Sequence, residues 1–189
     1  LYVSAADGVV DGFTFTNGYA TTSSLFGYGG GFYLNANSVV TNCFVAGNRA
    51  EVRGGGGYAS GGRIVDSVFS GNTCWTNNVT YGGGLYLNNS FVSNCIVREN
   101  SARIGGGVYM SNTSQLHDSR VEENTARILV SSDGGGGIWM NANGTIANCN
   151  ILSNTLVVTS GGAYSAGVNL GSGGLMRDSL IAYNTGASY

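Results

Sequence analysis

The chain has no proline and no lysine, a single histidine, and only 10% charged residues among its 189. Each shortage removes a class of protein. Eight arginines stand against 10 acidic residues, a net charge of -2, so no basic stripe exists to neutralise phosphates, and nucleic acid is not an expected partner. No apolar run approaches the roughly 18 residues of a membrane-spanning helix. No membrane span is therefore expected. The N-terminus carries no charged and apolar leader, which suggests a removed signal or an internal piece of a longer chain. What abounds is glycine, 33 residues with no three-residue period, beside 42% hydrophobic residues. That balance excludes collagen and disorder and predicts one ordered domain over residues 1–189.

The glycines repeat. Runs at Gly29-Gly31, Gly54-Gly57, Gly82-Gly84, Gly105-Gly107, Gly134-Gly137 and Gly161-Gly167 each open into an apolar and aromatic segment. An asparagine follows the last glycine of each run by 15 to 17 residues: Asn48, Asn72, Asn100, Asn124, Asn154 and Asn184. A period of 24 to 30 residues without helical spacing predicts an all-β solenoid in which one repeat is one coil.

Counting back from the asparagine exposes the inner face. Eight residues before it stand Val40, Ile64, Val92, Leu116, Ile146 and Met176; three before it stand Val45, Phe69, Val97, Val121, Ile151 and Ile181. An even and an odd offset cannot both face inward on one flat strand, so the chain must bend between them. With the strand after each Gly run, this predicts three short strands per coil and about seven coils, wound right-handed as parallel crossovers are.

Two polar files accompany the apolar columns. The closing asparagines are expected to mark a tight left-handed turn and to hydrogen-bond from coil to coil, with Gly18 holding the place in the first coil. At the bend, Asn42-Cys43, Asp66-Ser67, Asn94-Cys95, Asp118-Ser119, Asn148-Cys149 and Asp178-Ser179 alternate. An asparagine between two stacked carboxylates separates like charges and can offer amide hydrogens to both. Cys43, Cys95 and Cys149 lie two coils apart, about 10 Å, beyond disulfide reach, and read as small buried fillers. Cys74 is placed in an inter-coil loop without a columnar partner.

The segment from Asp11 to Gly18, and the repeated Gly-Gly-Gly-apolar-Tyr followed by Asn-Cys or Asp-Ser and a closing Asn, resemble the right-handed parallel β-helix repeats of the pectin lyase-like superfamily. Within it they are most similar to Gly-rich repeats of bacterial secreted and surface proteins, and more loosely to those of chlamydial polymorphic outer-membrane proteins. The likeness runs from about Val9 to Asn184 and implies a fold shared by lyases, hydrolases, adhesins and passive stalks.

The acidic calcium cluster beside a catalytic Arg, and the paired Asp, Gly-His-Gly and Arg-Ile-Lys motifs of that superfamily's enzymes, are not found in the sequence. His117 falls in an outward column and reads as a solvated surface residue. Glu99 and Glu123 share a column on adjacent coils; a carboxylate pair for glycosidic hydrolysis and simple surface ion pairing are both readings of them. Asp118 and Asp178 are too far apart for one calcium. No catalytic residue, cofactor or metal is therefore assigned. Binding has better support. Tyr33, Tyr86, Tyr109 and Trp139 take the outward position of the strand after the Gly run, with Ala59 and Asn169 interrupting the file, and Trp75 and Tyr81 sit in the inter-coil loops. Such aromatics suit a sugar face or another protein; equally, they can stack on one another to stabilise the sheet. Leu25-Phe26-Gly27-Tyr28, Ile128-Leu129-Val130 and Leu156-Val157-Val158 add apolar loop surface.

The expected molecule is a non-enzymatic extracellular or cell-surface scaffold or adhesin that contacts a polysaccharide or cell-surface protein. The alternatives are a polysaccharide lyase or glycoside hydrolase, and an axially self-associating structural element.

Overall fold

The computed structural model describes residues 1–188 apart from 5, 24, 36, 77, 129–133 and 159–163. Leu129, Val130, Gly161 and Gly162 fall outside the described residues. The chain forms an all-parallel β-solenoid of four sheets, each of seven strands stacked in rung order. One rung illustrates the path: Leu85–Asn88 in the first sheet, Phe91–Ser93 in the second, Ile96–Arg98 in the third and Ser101–Ala102 in the fourth.

The fourth sheet corrects the expectation of three strands per coil. Its strands have only two residues in four of the seven rungs, and in those rungs the inward residue is Ala20, Ala50, Cys74 or Ala102. A strand that shows one small side chain inward has no alternation to read. Cys74 is correspondingly corrected from loop to sheet, paired with Ala50 and fully buried.

The axial core follows the two inward columns. Val40, Ile64, Val92, Leu116 and Ile146 stack in the second sheet, and Val45, Phe69, Val97, Val121 and Ile151 in the third, all without exposed surface. In the first sheet Phe32, Leu34, Leu85, Leu87, Met110, Ile138 and Met140 close the core. Fully burying one such side chain contributes about 1.5–3 kcal/mol, so the stack supplies most of the driving force. The last rung is open, leaving Met176 partly buried and Ile181 48% exposed.

Turns are set by left-handed residues. Asn42, Asp66, Asn94, Asp118, Asn148 and Asp178 have φ from 49° to 54°, so the bend falls where the sequence places it. At the other corner the left-handed residue precedes the asparagine: Gly47, Gly71, Glu99, Glu123, Ser153 and Tyr183 have φ from 54° to 63°. The ladder asparagines themselves are not left-handed, a correction with a clear cause. They turn inward, where their amides are needed.

The glycine runs pass directly over those amides. A Cβ on Gly56 would lie 2.9 Å from Asn72 Nδ2, closer than packed atoms approach. Gly57 differs in kind: it is a strand residue, paired with Phe32 and Leu85, and a Cβ there would meet the Phe32 ring at 2.5 Å. Reading it as part of the run displaces that strand by one residue. Tyr58, not Ala59, therefore continues the aromatic file, and Ala59 faces the core.

Candidate functional site

The ladder asparagines form a closed network. In Asn100, Oδ1 accepts from Asn72 N–H at 2.8 Å and Asn72 Nδ2 at 3.0 Å, while Nδ2 donates to Phe69 O and to Asn124 Oδ1, both at 3.0 Å. The same pattern links Asn48, Asn72, Asn124, Asn154 and Asn184, and Asn48 Oδ1 accepts from Gly18 N–H in the first coil. With every buried lone pair and proton satisfied, these amides are structural.

The bend file is looser. Asn42 donates to Asp11 at 2.9 Å, Asn94 to Asp66 at 2.6 Å and Asn148 to Asp118 at 3.2 Å, all exposed. Each asparagine thus serves the carboxylate of the preceding coil, so the file is built of pairs, and Asp178 turns to Arg177. The adjacent Cys/Ser file does the buried work. Ser67, Ser119 and Ser179 Oγ each accept the backbone N–H of the cysteine one coil earlier at 3.1 Å. The cysteine thiols in turn donate to the carbonyl two residues back, Cys43 to Thr41 O at 3.0 Å, Cys95 to Ser93 O and Cys149 to Ala147 O at 3.2 Å, and burial pushes the Cys95 thiol up to about 12. These cysteines are hydrogen-bonding partners as well as fillers.

The outward aromatics are not an exposed strip. Tyr33, Tyr58, Tyr86, Tyr109 and Trp139 align in one register, but Tyr58, Tyr86, Tyr109 and Trp139 are only 4–7% exposed. Successive tyrosine rings stack 4.7–5.0 Å apart. The inter-coil segments fold back over them through a line of bridges joining Tyr28, Arg53, Tyr81 and Ile104. Tyr28 stacks on Tyr58 at 5.0 Å, Tyr81 meets Tyr109 edge-on at 4.9 Å, and the Arg53 guanidinium lies 5.0 Å from the Tyr86 ring. The result is a second hydrophobic core outside the first sheet. Burial raises the Tyr58 and Tyr109 hydroxyls to about 12.

Trp75 behaves differently. It is half-buried beyond the fourth sheet and, with Ser101, Thr125 and Arg127, lines an open cleft of about 250 Å³. The Arg103 guanidinium lies 5.5 Å from its ring, and Arg49 Nη2 donates to its backbone oxygen at 3.3 Å. Arg103 is 9% exposed, and its Nε has no partner. Sequence reasoning singled out Trp75 and missed the arginines and hydroxyls. The signal was present: Thr73, Ser101, Thr125, Thr155 and Thr185 each directly follow a ladder asparagine.

The remaining candidates lie apart from this cleft. His117 is half-buried instead of solvated, with its ring 5.4 Å from Phe91 and Nε2 without a partner. Glu99 and Glu123 are both exposed, and Glu99 accepts a hydrogen bond from Ser70 at 3.0 Å. Glu122 pairs with Arg120. A second open cleft of about 310 Å³ runs along the bend at Asp66, Asn94, Asp118 and Arg120.

No protein family, curated protein or solved structure matches the chain. The fold stands on its own geometry.

Proposed function

We propose that this is a non-enzymatic scaffold or adhesin domain, secreted or held at a cell surface, that contacts a polysaccharide or protein along the edge formed by its fourth sheet and inter-coil segments. The resemblance to surface-protein repeats of the pectin lyase-like superfamily supports that setting. The observation that carries the reading is the division between the two tryptophans: Trp139 is sealed into a packed layer, whereas Trp75 is only half-buried and lines a cleft with hydroxyl and guanidinium groups. A continuous stack of rungs is stiff, because every strand is hydrogen-bonded on both sides except at the ends. It therefore presents the cleft without an ordering cost on binding.

The double variant Trp75→Ala/Arg127→Ala tests this on immobilised glycans and cell-surface material, with melting measured on the same samples. Retention should fall while the thermal midpoint stays near that of the parent. Tyr109→Ala should lower the midpoint instead. Retention indifferent to Trp75 and Arg127 would sink the edge assignment, and product release from a polysaccharide panel would overturn the non-enzymatic reading.

A further inference from the structure

The arginines are unevenly placed. Four of the eight, Arg49, Arg53, Arg103 and Arg127, lie on the fourth sheet or the segments that follow it. The one described carboxylate among those elements is Glu51, already committed to Tyr19 Oη–H at 2.7 Å and Thr22 N–H at 2.6 Å. Those bonds hold the Glu51 carboxyl below its usual range, the Tyr19 bond foremost. The other described acids sit elsewhere, including Asp66 and Asp118 at the bend and Glu122 on the third sheet. Glu99 and Glu123 stand at the corner between third and fourth sheets, Glu99 turned onto Ser70. Among the described residues the ion pairs are Arg120 with Glu122 and Arg177 with Asp178; Glu51 attracts Arg49 without pairing with it, and Arg53, Arg103 and Arg127 form no ion pair there.

A buried polar group without a partner is costly, and Arg103, 9% exposed, holds its Nε in that state. Three cations converge on Trp75: Arg49 at its carbonyl, Arg103 over its ring, Arg127 across the cleft. Resting on the edge assignment above, we propose that this site docks an acidic segment of a protein partner, whose carboxylates pair with Arg49, Arg103 and Arg127. Carboxylate and guanidinium match in charge and in planar, two-pronged geometry. Two observations favour a peptide over an acidic sugar. Arg103 already lies over the Trp75 ring, which crowds the indole face a sugar ring would stack on. Around the arginines the edge also exposes large apolar side chains, Tyr19 at 51%, Phe26 at 77% and Val79 at 39%. Arginine and aromatics together, without lysine, are the composition of protein interface centres.

Trp75 reports on the site directly, because the other tryptophan, Trp139, is 4% exposed. Its emission is followed while the whole protein is titrated with poly-glutamate, poly-lysine, polygalacturonate and neutral dextran. Poly-glutamate should shift the emission at about 0.01 M salt and lose its effect near 1 M, where the screening length falls to about 3 Å. Arg127→Ala should weaken the response about tenfold with an unchanged thermal midpoint. Trp75→Phe should abolish the optical signal. No response to poly-glutamate at low salt overturns the proposal, as does a response that Arg127→Ala leaves intact. Polygalacturonate or dextran acting in its place overturns the acidic peptide but keeps the edge as a contact surface. Retention on cell-surface material that is indifferent to both Trp75→Ala and Arg127→Ala fails the edge itself.

Discussion

The two polar corners of this solenoid use the same residue type to different ends. At the corner between the third and fourth sheets, a single asparagine per rung satisfies its neighbour's backbone and its neighbour's side chain, and it does so fully buried. At the bend between the second and third sheets the task is divided. An exposed Asn or Asp makes the turn, and the Ser beside it in alternate coils receives the backbone N–H of the buried Cys one coil earlier. Burial, not residue identity, decides how much each file matters. An exposed amide that loses its partner finds water, whereas a buried one leaves several groups unpaired at once.

The largest expected effect comes from placing a charge in the closed file. Asn100→Asp removes the donors to Phe69 O and Asn124 Oδ1 and introduces a buried carboxylate, and should destabilise by about 3 kcal/mol or more at neutral pH. A denaturant midpoint like that of the parent would break the comparison.

The buried half of the bend is sharpened by alkali. Burial puts the Cys95 thiol at about 12 from an ordinary 9. A raised acid pKa favours the neutral form in the folded state, so this contribution is full below pH 9 and is lost as pH climbs towards 12. Stability measured across that window should decline, and thiol reagents should leave Cys95 unmodified until it does. Rapid labelling at pH 8 in the native protein would refute its burial.

The smallest effect is expected at the exposed half of the bend. Asn94→Asp sets a carboxylate beside Asp66, yet both are solvated and joined by one bond, so the cost should be about 1 kcal/mol or less and should shrink with added salt. A loss equal to that of Asn100→Asp would erase the distinction between the corners.

The sequence alone settled the rung period, the two inward columns, the bend residues and the existence of the asparagine file. In a stacked parallel fold each residue lies over its counterpart one coil on, so any demand made at one rung recurs at the next and becomes visible as spacing. Where the demand was weak or offset, the spacing misled. Two-residue strands around Ala50 or Cys74 left the fourth sheet unseen, and Gly57, a glycine serving as a strand residue over the Phe32 ring, hid Tyr58. What only the tertiary structure decided is which outward side chains remain outward. Tyr86, Tyr109 and Trp139 share a register that the sequence shows, but their covering by Tyr28, Arg53 and Tyr81, each directly before a glycine run, depends on inter-coil segments of unequal length folding back over them. Trp75 is left only half-buried for the same reason. Packing along the axis repeats at every rung and can be read, whereas covering of the outer face depends on segments whose length changes from rung to rung.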